Sequence, residues 1–233
     1  MKKNLQVGLI LGMIILSEIS FGQTNGLKSE KIKNDRVTET YLDLVLNVVG
    51  TNLNYGKSNS ALSDYKKSVL GAQVGVSLQA GITPRVSLVS ELYFFMKGGE
   101  LKANNPLTTS NTNIRLYTLE LPVLARVHFG RFHLNAGPSI AYNIYGSQKN
   151  ENSTLDLAFN NSAESFKRWE AGVQMGGGYT FHTKKKTVRL DVRYNYGLTN
   201  IANSGEMYNR SLILALHFAK PWKTNPLGRR YKS

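Results

Sequence analysis

The sequence predicts an all-β fold, an eight-stranded antiparallel up-and-down transmembrane β-barrel, on three observations. Between Tyr41 and Phe218, apolar and polar residues alternate at period two in eight stretches, each long enough to cross a bilayer. The connections between the stretches alternate short and long, as they do in a barrel with tight hairpins at one end and extended ones at the other. No apolar run reaches the roughly 20 residues that a membrane helix needs, whereas a closed barrel satisfies every backbone group inside lipid. The stretch TVRLDVRYNYGL shows the pattern most plainly. Val188, Leu190, Val192, Tyr194 and Tyr196 share one face, and Thr187, Arg189, Asp191, Arg193 and Asn195 share the other. A soluble barrel would bury the apolar face. In a small membrane barrel the charges face one another inside and lipid covers the outside.

The amino terminus carries Lys2 and Lys3, a short apolar run from Val7 to Leu16, and Ser20-Phe21-Gly22-Gln23. Positive charge, a short apolar core and small residues before a cleavage point after Gly22 predict a secretory signal peptide over residues 1–22. Residues 23–40 are polar and mixed in charge and read as a flexible periplasmic lead-in. The barrel is expected over 41–218 and a basic periplasmic tail over 219–233.

The first strand, about 41–53, turns Leu42, Leu44, Leu46 and Val48 outward and Asp43, Val45 and Asn47 inward. The second, about 69–82, sets Ala72, Val74, Val76, Leu78 and Ala80 against Gly71, Gln73, Gly75, Ser77 and Gln79. A tight turn at Thr83-Pro84-Arg85 follows, since proline presets turn geometry. Strand three, about 86–97, carries Val86, Leu88, Leu92, Phe94 and Met96 outward, with Glu91, Tyr93 and Lys97 inward. Strand four, about 114–129, sets Tyr117, Leu119, Leu121, Val123 and Val127 against Thr118, Glu120, Arg126 and His128. Pro122 must sit where a ladder hydrogen bond can be spared, which points to a bulge.

After a minimal turn at Gly130, strand five, about 131–145, sets Phe132, Leu134, Ala136, Ile140, Tyr142 and Ile144 against His133, Asn135, Ser139 and Asn143. Strand six, about 167–181, sets Trp169, Ala171, Val173, Met175, Tyr179 and Phe181 against Arg168, Glu170 and Gln174, with glycines at 176–178 allowing close packing or curvature. Strand seven is the stretch quoted above. Strand eight, about 209–218, sets Leu212, Leu214, Leu216 and Phe218 against Ser211, Ala215 and His217. The long connections, near 54–68, 98–113, 146–166 and 200–208, are rich in Asn, Ser, Thr and Lys. In an outer-membrane orientation the short turns face the periplasm, the long loops face outside, and both termini are periplasmic.

Eight strands leave an interior that side chains can fill. The inward set predicts a lumen charge network of Asp43, Glu91, Glu120, Arg126, Glu170, Arg189, Asp191 and Arg193, with Lys97 and Arg168 completing a balance of five acids and five bases. Charges so enclosed must pair, and Glu91 and Glu120 are expected to meet Arg193 across the barrel. Aromatic residues gather at the strand ends as membrane-interface rings. Phe129, Phe132, Tyr179, Phe181 and Phe218 lie at the short-turn end; Phe94, Tyr117, Tyr142 and Trp169 lie at the long-loop end.

Composition narrows the function. The chain has 233 residues, a net charge of +14 and no cysteine, which leaves no disulfide and no lipidation site behind the signal. Its basic residues form no stripe beside stacking aromatics, so nucleic acid is not an expected partner. No serine sits in a G-x-S-x-G context, and no glycine-rich loop joins a strand to a helix. His128, His133, His182 and His217 all map to the short-turn end, where substrate pockets are not expected. His128 with His133 would offer only two metal ligands, a weak site. No catalytic residue, metal or cofactor is therefore expected.

Several segments resemble a known family. They are GAQVGVSLQAGITPRVSLVSELYFFMKGGEL, YTLELPVLARVHFGRFHLNAGPSIAYNI, GVQMGGGYTF and RLDVRYNYGLTNI, with the Y-x-L-E-L-P-x-L run at Tyr117–Leu124, Ala136-Gly137-Pro138 and RYNYGLTNI at 193–201 the most specific. Over about 69–218 the chain is similar to the outer-membrane β-barrel proteins of Bacteroidota labelled porin-family or PorT-family. The resemblance implies an eight-stranded outer-membrane barrel, with some relatives serving type IX protein secretion. Phe218 stands where such barrels end on the aromatic residue read by the barrel-assembly machinery, yet AKPWKTNPLGRRYKS continues past it. That tail, basic and without an acid, is suited to anionic headgroups or a periplasmic or secretion-complex protein. The expectation is a non-enzymatic integral barrel with a plugged lumen and a structural or interaction role. The alternative is a narrow porin-like channel for ions or small solutes.

Overall fold

The computed structural model describes residues 41–221 except positions 84, 152, 161 and 183–186, and the side chains of 182 and 219–221 are also not described. The expected signal peptide, the lead-in and most of the basic tail lie outside the described residues. Eight antiparallel strands form the barrel: β1 Tyr41–Tyr55, β2 Val69–Thr83, β3 Val86–Leu101, β4 Thr112–Phe129, β5 Phe132–Lys149, β6 Trp169–His182, β7 Thr187–Gly197 and β8 Met207–Pro221. Each pairs with its sequence neighbours, and β1 pairs with β8 from Tyr41↔Pro221 to Tyr55↔Met207, which closes the sheet. Closure leaves no barrel strand with an open edge.

The face that looks outward is the apolar one. Leu44 is 68% exposed, while Asp43 and Val45 beside it are 2% and 0% exposed. The same alternation holds along β2 to β8, because each pleat turns successive side chains to opposite faces. The lattice also fixes the tilt. From Asn47, one walk around the ladder runs Gln73, Phe95, Thr118, Asn143; the other runs Ala215, Asp191, Gly178, His133. The two walks reach β5 ten residues apart. A stagger of ten residues at about 3.3 Å each, around a girth of eight strands about 4.8 Å apart, tilts the strands by about 40°. On β5 the outward face between Phe132 and Tyr142 spans ten residues, so at this tilt the apolar band is about 25 Å tall, the height of an outer-membrane hydrocarbon layer.

Two details of the ladder depart from the sequence reading. The bulge lies not at Pro122 but on the facing strand β5, where Ile144 is the extra residue opposite the Tyr117–Thr118 step. Register is equal on both sides of Pro122, with Ser90↔Val123 and Tyr93↔Glu120, and the pairing simply skips Leu121 and Pro122. The spared hydrogen bond is real, but proline needs no extra residue to provide it. The ladder of β8 also runs three residues beyond Phe218, to Pro221.

The long connections hold more structure than their composition suggests. A 3-10 helix, Lys57–Tyr65, follows β1; Lys66–Lys67 pairs with β3, and Thr154–Asp156 pairs with β5. Together with the upper ends of the strands they enclose an apolar cluster of Leu53, Tyr55, Leu62, Leu101, Ile114, Leu116, Phe166 and Ile201, flanked by Tyr65, Leu157, Phe159 and Met207. This cluster caps the lumen at the long-loop end. At the other end, Gly130 takes a φ of 68° in the two-residue turn joining β4 to β5, a conformation such hairpins demand and glycine adopts without strain.

Candidate functional site

The lumen is filled by inward side chains in two polar tiers. The tier nearer the short turns is built by β1, β3, β4, β7 and β8, whose pleat brings Asp43, Glu91, Arg126, Arg189, Asp191, Arg193 and His217 together, all at most 2% exposed. Arg193 Nη1 donates to Glu91 Oε2 at 2.6 Å, and Ser77 Oγ donates to Glu91 Oε1 at 3.3 Å. Arg126 donates from Nη2 to Asp191 Oδ2 at 2.7 Å and from Nη1 to Gln79 Oε1 at 2.9 Å. Asp191 also takes His133 Nε2 at 2.6 Å and Asn135 Nδ2 at 3.3 Å, so one carboxylate gathers three donors. Arg189 pairs with Asp43, and its guanidinium lies over the Tyr41 ring. His217 stands 3.7–3.8 Å from the carboxylates of Asp43, Glu91 and Asp191.

The tier nearer the long loops is centred on Glu170 and Glu120. Lys97 Nζ lies 2.7 Å from Glu170 Oε2, and Asn143 and Asn209 donate to the same carboxylate at 2.7 and 2.8 Å. Glu120 Oε1 accepts from Gln174 Nε2 at 2.8 Å and from Asn195 Nδ2 at 3.1 Å. A gap of about 10 Å³ remains beside Lys97, Glu120 and Glu170, the room of a single water. Val49, Phe95, Ile213 and Ala215 form a separate apolar patch in the lumen.

The expected meeting of Arg193 with two acids is therefore half of what the structure has. Glu91 binds Arg193, but Glu120 is held by two amides. Arg168 is not in the lumen: it precedes β6, is exposed, and donates to the carbonyls of Asn143 and Ile144 at 3.1 Å while lying over the Phe159 ring. The period-two alternation starts at about 167, two residues ahead of the strand, and carries Arg168 with it. Among the described residues the buried acids number five, and the buried lysine and arginines four. The excess acid lies in the tier nearer the long loops, where Glu120 and Glu170 face Lys97, whereas buried His133 and His217 belong to the tier in which three acids meet three arginines.

Two sequence features find their reason here. In β6, Gly176 and Gly178 face inward, where a Cβ at 178 would meet His133 Nε2 at 2.7 Å and one at 176 would meet Arg193 Cγ at 2.8 Å. These glycines clear room for the tier nearer the short turns. His128 accepts or donates to Ser87 Oγ at 2.9 Å, and its ring centroid is 6.1 Å from that of His133. His133 is committed to Asp191.

The outward aromatics fall into two bands. At the long-loop end, Phe94 stacks on Tyr117 with centroids 6.1 Å apart, and Tyr142 meets Trp169 edge-on at 4.9 Å. At the short-turn end, Tyr179 contacts Phe132 at 4.8 Å and Phe181 at 4.7 Å, Phe129 pairs with Phe132 in the ladder, and Phe218 is exposed beside the Val188 and Leu44 positions.

A closed eight-stranded barrel with a lipid-facing apolar band and a side-chain-filled lumen defines a small membrane barrel protein. The chain belongs to the outer membrane protein beta-barrel domain family, whose model matches residues 3–203, and the outer membrane is accordingly its location. No curated protein matches the sequence. Among solved structures it is similar to Neisserial surface protein A, at 15% identity over 78% of this chain and 97% of that one, with a TM-score of 0.45. It is similar also to OprG from Pseudomonas aeruginosa, at 14% identity over 82% and 99% of the two chains with a TM-score of 0.44. The Ail attachment invasion locus protein of Yersinia pestis is similar at 7% identity over 78% and 99%, with a TM-score of 0.43.

Proposed function

We propose that this protein is a non-enzymatic outer-membrane barrel with a plugged, charge-paired lumen, serving a structural or protein-interaction role in secretion or envelope organisation. The observation that carries the reading is the pair of polar tiers: Arg193–Glu91 and Arg126–Asp191 below, Lys97–Glu170 above, each buried and joined across the barrel. Opening such a pair strands a charge in a low-dielectric interior, at a cost of several kcal/mol, so the closures are not transient. Within the family, the motifs at Tyr117–Leu124 and Ala136–Pro138 favour the porin-family or PorT-family barrels of Bacteroidota. Residues 1–22 direct export, both termini face the periplasm, the barrel-assembly machinery reads Phe218, and the basic tail meets a periplasmic partner or anionic headgroups.

The test is single-channel conductance of refolded protein in a planar bilayer, with heat-modifiable gel migration as the control for a folded barrel. Silence from both wild type and Arg193→Ala is the expected result. Steady conductance from the folded wild type would overturn the plugged lumen and make the inward charges a filter for ions or small solutes.

A further inference from the structure

The outer wall of the barrel has a missing tile. On the lipid-facing side of β6 the sequence of outward residues is Met175, Gly177, Tyr179, and Gly177 sits in register between Leu134 of β5 and Val192 of β7. Those neighbours are 59% and 50% exposed, so Gly177 interrupts a continuous apolar surface at the one outward position of that row without a side chain. The vacant position opens into a cavity of about 420 Å³, lined by Phe129, Phe132, Leu134, Tyr179, Leu190 and Val192. The glycine is dictated by the wall itself: a Cβ there would lie 2.9 Å from the His133 carbonyl oxygen and from Leu134 Cδ2.

A cation guards the mouth. Arg131, exposed in the tight turn before β5, donates from Nη1 to the Tyr179 hydroxyl at 3.4 Å, and its carbonyl accepts from Thr180 N at 2.8 Å. That backbone bond fixes Arg131 at the end of the ladder, next to the ring that closes the notch. The notch thus lies at the edge of the apolar band, with methyl-bearing and aromatic walls within it and a guanidinium at the headgroup level.

We propose that this notch is a binding site for one acyl chain of an anionic glycerophospholipid, whose phosphate is held by Arg131. The apolar walls fit a hydrocarbon chain and exclude a polar ligand. The guanidinium favours a headgroup with net negative charge over a zwitterion, because the zwitterion's own ammonium offsets much of the attraction between its phosphate and the interfacial cation. The inference needs only that the barrel be embedded in a membrane, and it is independent of whether the lumen conducts.

The experiment is native mass spectrometry of the full barrel released from nanodiscs of equimolar phosphatidylglycerol and phosphatidylcholine. Retention of one phosphatidylglycerol, favoured by about five-fold, is expected of wild type, the discrimination one cation at about 1 kcal/mol provides. Arg131→Glu should abolish the preference. Val192→Phe, which fills the notch with an equally apolar side chain, should abolish retention while heat-modifiable migration is unchanged. Equal retention of the two lipids by wild type would overturn the proposal, as ordinary boundary lipid behaves that way. Retention unaffected by Val192→Phe would overturn the acyl seat, and a dimer lost on Val192→Phe with no lipid retained would assign the notch to a second copy of this chain instead.

Discussion

Asp191 is the residue on which most of the lower tier converges. Its two oxygens take Arg126, His133 and Asn135, and His217 stands 3.7 Å away. Asp191→Ala leaves the Arg126 guanidinium buried with only Gln79 as a side-chain acceptor. Removing one partner of a buried pair costs about 3–5 kcal/mol, whereas replacing both by apolar groups of similar volume is close to neutral. Asp191→Ala should therefore lower the urea midpoint of the lipid-embedded barrel by an amount equivalent to about 3–5 kcal/mol. The Arg193–Glu91 pair supplies the contrast, because it is buried completely and Glu91 accepts one further hydrogen bond, from Ser77, with His217 3.8 Å away. Arg193→Met alone should destabilise by a similar amount, and adding Glu91→Leu should restore most of the loss. A double variant no better than the single one would mean that the charges act separately and not as a pair.

At the scale of the elements, the upper cap is a small core of its own. Its residues come from the upper ends of β1, β3 and β4, the 3-10 helix, and the connections before β6 and β8. Phe166 is the largest buried side chain contributed by a connection; it is bridged to Ala202, and its amide donates to the Ala158 carbonyl at 2.8 Å. Phe166→Ala should cost the cap about 3–5 kcal/mol, enough to loosen the connections without touching the ladder below. Limited proteolysis should then cut within 157–166 in the variant and spare that segment in wild type, while heat-modifiable migration of the barrel is retained. Loss of the folded band would show instead that cap and barrel unfold as one unit. The cap was also what the sequence concealed. Strands were legible because a pleated wall between lipid and charge forces period two on every residue, from Leu42 to Phe218. Leu62, Phe166 and Ile201 have no such period: each is a single apolar residue in a polar connection, and only the closed barrel brings them together. Arg168 lies outside the lumen for a related reason: the alternation in the sequence continues past the point where the chain leaves the sheet. The pairing of Glu120 with Gln174 and Asn195 was hidden as well, since it depends on the stagger of the strands, which no single strand encodes.

Across the whole molecule, the cap, the Lys97–Glu170 tier and the Arg126–Asp191–Arg193–Glu91 tier lie one above another along the same lumen. Closures in series carry the same current, and the tightest one sets it. Weakening any one of them leaves the other two in place, which is why Arg193→Ala by itself is expected to stay silent. The cap closes by apolar packing and the two tiers by ion pairs, so no single chemical change opens all three. Lys97→Ala and Phe166→Ala should each be silent in a planar bilayer as well, and the combination of Phe166→Ala, Lys97→Ala and Arg193→Ala should conduct, provided that heat-modifiable migration shows a folded barrel. The loss of two buried cations in that combination leaves Glu170 and Glu91 facing an open lumen, so its current should favour cations over anions, measurable as a shifted reversal potential in asymmetric salt. Conductance in any single variant would mean that one closure alone seals the barrel and that the others only stabilise it.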